Sequence, residues 1–133
     1  MFLRASVLTF ALLGTLGGVA AADTQSTGAC FGEHTVTKVV AHHTAVPSGQ
    51  GTYDRLAGAR AYVPAKPGLT GEWLHAQLER RSSAPQQGTS CPLDVPGVSI
   101  NVRSAGPGFW VSLAASDVND AKEVLRRAQT LAQ

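Results

Sequence analysis

Residues 91–133 constrain the fold more tightly than any other part of the chain. They read CPLDVPGVSINVRSAGPGFWVSLAASDVNDAKEVLRRAQTLAQ. Val98, Ile100 and Val102 alternate with Ser99, Asn101 and Arg103, the period of a strand with one apolar and one wet face. Phe109, Val111 and Leu113 repeat the pattern, with Trp110 and Ser112 on the opposite side. Between the two strands, residues 104–108 (SAGPG) place Gly108 after Pro107, the order of a type II turn. Asp117 or Ser116 then caps a helix with Asp120 and Glu123 near its start. Val118, Ala121, Val124, Leu125, Ala128, Leu131 and Ala132 share one side of its helical wheel. Lys122, Arg126 and Arg127 take the other side, and Glu123 is spaced to pair with Arg127.

Cys91 and Cys30 are the two cysteines of the chain, and the N-terminus decides how to read them. Arg4 precedes an apolar run over residues 5–19, followed by Ala20, Ala21, Ala22 and the polar Asp23. This is the layout of a secretory signal peptide cleaved after Ala22, with a run short of the roughly 20 residues that span a bilayer. Residues 1–22 are therefore expected to be removed, which places the product in the periplasm or outside the cell. One domain remains over residues 23–133, with residues 23–34 loosely ordered until Cys30 anchors them. Two cysteines in an exported chain are expected to form one disulfide, Cys30–Cys91.

The middle of the chain is less explicit. Residues 35–41 (TVTKVVA) are rich in β-branched side chains and predict a strand; residues 47–51 (PSGQG) predict a turn or mobile loop. Residues 59–63 (ARAYV) alternate as a short strand before Pro64. Thr70 is placed to cap a helix in which Leu74 and Leu78 share a face, flanked by Trp73 and Gln77, and which ends near Ser82 or Ser83. Residues 83–90 predict an exposed loop. The order β-β-α-β-β-α predicts a small α+β domain, an antiparallel sheet with both helices on one face.

Composition excludes more functions than it suggests. Without Arg4, ten Lys and Arg face nine Asp and Glu, a balance that gives no argument for a nucleic-acid partner or an anionic membrane. The mature chain has no further segment apolar enough to span a membrane. A thiol nucleophile conflicts with paired cysteines, no Gly-x-Ser-x-Gly elbow occurs, and no phosphate-binding loop or dinucleotide fingerprint is present. Glu72, Glu79 and Asp94 show no pairing that suggests glycoside cleavage. The doublets Arg80-Arg81 and Arg126-Arg127 lie near helix C-termini, where positive charge complements the dipole.

Two functional readings follow. In the first, the chain is a binding or interaction protein of the bacterial cell envelope, with no catalytic residues. Its surface is the wet side of the last hairpin: Trp110, Asn101, Arg103 and Ser112. Another envelope protein or a small ligand is the expected partner. In the second, it is a periplasmic copper or zinc binder using His42 or His43 together with His34 or His75. That reading meets a geometric difficulty, because neighbours on a strand point to opposite faces and His34 lies roughly 26 Å from His42 along an extended chain. Metal ligation also needs at least three converging donors.

Overall fold

A computed structural model describes residues 30–86 and 90–132. The expected signal peptide and the first residues of the mature chain lie outside them. Four strands form one antiparallel sheet: β1 (Lys38–Ser48), β2 (Gly51–Pro64), β3 (Ser99–Ala105) and β4 (Gly108–Ala114), in spatial order β1-β2-β4-β3. Helix α1 (Gly71–Ser83) lies over β3, and α2 (Val118–Gln129) lies over β2. Both cover the same face, as the order of elements predicts.

Alternation sorts the strand residues between the two faces. Ala59, Ala61, Val63, Phe109, Val111, Leu113 and Ile100 are buried beneath the helices. Helix α1 adds Leu74 and Leu78, and α2 adds Ala121, Val124 and Ala128. Alanines on both β2 and α2 leave little side-chain bulk between them, which favours close helix–sheet packing. Each helix begins where a side-chain oxygen takes over free amides. Thr70 Oγ1 accepts from Trp73 N, and Asp117 accepts from Asn119 N and Asp120 N. Asp117, rather than Ser116, is the cap. Val118 does not join the buried stripe: at the first turn of α2 it is 38% exposed, and Ala132 at the other end is exposed as well.

The disulfide joins Cys30 to Cys91 with a Cα–Cα distance of 5.4 Å, and both residues are buried. Phe31 follows Cys30 into the core, so the start of the described chain is packed against the domain. Two arginines secure the other end of the bridge. Arg81 of α1 grips Asp94 with both arms of its guanidinium, at 2.6 and 2.9 Å. Arg127 of α2 donates to Cys91 O at 3.2 Å while pairing with Glu123. Arg81, Arg126 and Arg127, the last two both paired with Glu123, therefore have specific partners in addition to the helix dipole.

Two local expectations are corrected. The β1–β2 hairpin is longer than its apolar alternation suggests, beginning at Lys38 and turning only at Gly49 and Gln50. Pairing of β2 with β4 stops at Gly58↔Ala114, so the hairpin beyond His43 and Leu56 is a two-stranded arm. No core lies against that arm to impose a period-2 pattern, hence its weak signal in the sequence. The second correction is the β3–β4 turn. Ala105 pairs with Gly108, which leaves Gly106 and Pro107 as its two central residues. Gly106 takes φ +58 at the first of them, and Pro107 cannot adopt positive φ. The turn is therefore type II′, whose twist matches a two-residue hairpin.

Candidate binding face of the sheet

The side of the sheet away from the helices is uncovered among the described residues, and register arranges it in three rows. One row runs Lys38, Tyr62, Trp110, Arg103 across β1, β2, β4 and β3. The next runs Val40, Arg60, Ser112, Asn101, and the third His42, Gly58, Ala114, Ser99. None of these positions is Asp or Glu.

Trp110 sits near the middle and is half-buried rather than free. Tyr62 meets it edge-on, with ring centroids 5.0 Å apart, and donates its hydroxyl to Ala105 O at 3.0 Å. The Arg60 guanidinium lies over the indole, its Cζ 5.0 Å from the ring centroid. Beside this stack, His42, Arg60, Asn101, Arg103 and Ser112 line a depression of about 340 Å³. Three of the four residues expected on the binding surface thus line one concavity, and Trp110 supports its wall. Arg60, Tyr62 and His42 complete the group. Alternation over residues 59–63 sets Arg60 and Tyr62 on one side of their strand, but the face of His42 and the closeness of all three to Trp110 depend on the pairing of β1, β2 and β4.

No protein-family model, curated protein or solved structure matches this chain.

The histidines are dispersed. His42 lies on the open face, and His43 follows it where the register shifts opposite Ala57. His34 and His75 lie on the helix side. His34 Nε2 is 2.8 Å from Gln77 Oε1, and its ring meets Trp73 edge-on. His75 Nε2 is 3.1 Å from Ile100 O and 3.3 Å from Glu79 Oε1. The sheet therefore separates His42 from His34 and from His75, either of which the copper or zinc reading pairs with His42 or His43. Among the described residues, no three His, Cys, Asp or Glu side chains group so as to hold a metal ion.

Burial lowers the pKa of His42 below its ordinary 6.5, and the positive charge of Arg60 and proximity to His43 lower it further. The folded chain thus resists protonation where the unfolded chain accepts it. Stability should be full above pH 6.5, fall as the pH drops through the window between 6.5 and the lowered folded value, and level off below it. Subtracting the urea stability of His42→Gln from that of wild type, across pH 7.5 to 5, isolates this effect from the other histidines. The difference should decline on acidification. A flat or rising difference refutes it.

Proposed function

We propose that this chain is an exported, disulfide-tied binding protein of the bacterial cell envelope, and that it binds its partner through the open face of the sheet. The observation that carries the reading is the stack at Trp110. Arg60 and Tyr62 fix the indole beside a depression lined by polar and charged residues, so the indole and Arg60 are held before any partner arrives. A face held in this way loses little side-chain entropy on binding. The disulfide between the two cysteines is a further feature that supports export.

The test is to titrate isotopically labelled protein with fractionated envelope extract from the bacterium that makes it. Perturbed amides should map to β1–β4 around Trp110. Trp110→Ala should weaken the response about thirtyfold, the effect of losing an interfacial hot spot of about 2 kcal/mol. Perturbations confined to α1 and α2, or an unchanged response in a folded Trp110→Ala variant, would count decisively against this assignment.

A further inference from the structure

We propose that the open face binds a small dianion, a dicarboxylate or a phosphate monoester, held between Arg60 and Arg103. This rests on the open-face reading and names its ligand.

The first argument is charge. A net balance near neutrality conceals an uneven placement of the acids, which the three central rows of the open face lack. Lys38, Arg60 and Arg103 stand on the open face, and among the described residues none of them forms an ion pair. On the helix side, Arg81, Arg126 and Arg127 each have a carboxylate partner. Glu72, Glu79, Asp120 and Glu123 all belong to the helices. Asp54 is the one acid within the strands, and it lies in the distal arm about 20 Å along β2 from Arg60. The depression therefore has two guanidinium groups and no anion of its own.

The second argument is geometry. Strands β2 and β3 flank β4, so they run about 10 Å apart, and Arg103 lies one row along from Arg60. Both side chains line the same concavity, with Ser112 on the strand between them and Asn101 beside Arg103 on β3. A dianion placed over Ser112 would meet one guanidinium fork from each side, with hydroxyl and amide donors below. Arginine forks match the paired oxygens of carboxylate and phosphate. Arg60 is already oriented by Trp110, and among the described residues its buried Nε, like that of Arg55 in the arm, has no hydrogen-bond acceptor.

The third argument is size. About 340 Å³ is at the small end of ligand-binding cavities, which span about 300–1,000 Å³. A nucleic-acid strand would need exposed aromatic platforms for its bases. Here the one tryptophan of the face is occupied by Arg60 and Tyr62.

The experiment is an NMR titration of the oxidised protein with inorganic phosphate and, separately, with succinate, at ionic strength held constant with chloride. Saturable shifts are expected at the Arg60 and Arg103 Nε–H groups, the Asn101 side-chain amide and the Trp110 indole. Arg60→Gln and Arg103→Gln should each weaken binding about tenfold or more, as loss of a charge-assisted hydrogen bond implies. Arg103→Lys, which keeps the charge but loses the fork, should weaken it less. Lys38→Gln, outside the depression, should change it by no more than about threefold. Linear shifts without saturation, equal shifts with chloride, or an unaffected and folded Arg60→Gln overturn the proposal. So does a single-stranded oligonucleotide that binds more tightly than both small anions. If neither anion binds while envelope extract still perturbs the same face, only the dianion is refuted. If neither anion nor extract perturbs it, the open-face reading falls as well.

Discussion

Replacing Cys30 and Cys91 together by alanine is expected to lower folding stability by about 4 kcal/mol. The bridge spans a sequence separation of 61 residues. Opening it frees the unfolded chain to explore states that the cross-link forbids, and the entropic cost of closing such a loop is what the bond removes. The enclosed loop includes β1, β2 and α1, so the whole first half of the domain depends on it. Both sulfurs are buried beside Phe31 and Leu93, and alanine would leave a small void there as an additional loss. For a domain whose stability is typically about 5–15 kcal/mol, the loss is a large share. Urea titration of oxidised wild type and the double variant measures it. A difference under about 1 kcal/mol would overturn the expectation.

Gly58→Ala is expected to destabilise the domain by about 3 kcal/mol or more, or to prevent folding. Gly58 sits at the register shift between β1 and β2, where Ala57 is the extra residue. Its φ is +154, a conformation that L side chains rarely adopt. A methyl group there would also lie 2.0 Å from the Leu113 carbonyl oxygen, inside the contact distance of any real carbon. Leu113 O belongs to the central strand β4, and that backbone cannot retreat without disturbing its pairing with β3. Gly49→Ala is the control, because nothing lies within 4 Å of the added carbon. Its effect should stay within about 0.5 kcal/mol. Thermal or urea unfolding of both variants decides the matter, and equal midpoints would refute the account.

Much of the scaffold was legible because its causes are local. Thr70 and Asp117 are helix caps whose partners lie two or three residues away. Leu74 and Leu78 share a face because of helical spacing, and the Glu123–Arg127 pair follows from the same geometry. The hairpin at Gly106 was evident, although its turn type was not: a two-residue register, rather than the Pro-Gly order, selects the conformation. The arm beyond His43 was obscure because neither of its faces meets the core. Arg81 was read as a dipole partner because Asp94, which it grips, lies 13 residues away on another element.

The candidate site divides in the same way. Alternation alone put Trp110, Ser112, Asn101 and Arg103 on the wet side of one hairpin. It also put Arg60 and Tyr62 on the outward side of their own strand. What alternation cannot state is which strand lies beside which, since a period of two specifies a face and not a neighbour. Only the order β1-β2-β4-β3 brings Arg60 over Trp110, sets Tyr62 against its edge and adds His42 to the same depression. The helices, the Thr70 cap, the disulfide partners and the apolar face of each strand follow from the chain alone, because those depend on near neighbours or on simple counting. The tertiary structure decided that the open face carries cations and no carboxylate while the acids of the helices lie on the other side, because that depends on pairing between residues about 50 positions apart, such as Tyr62 and Trp110.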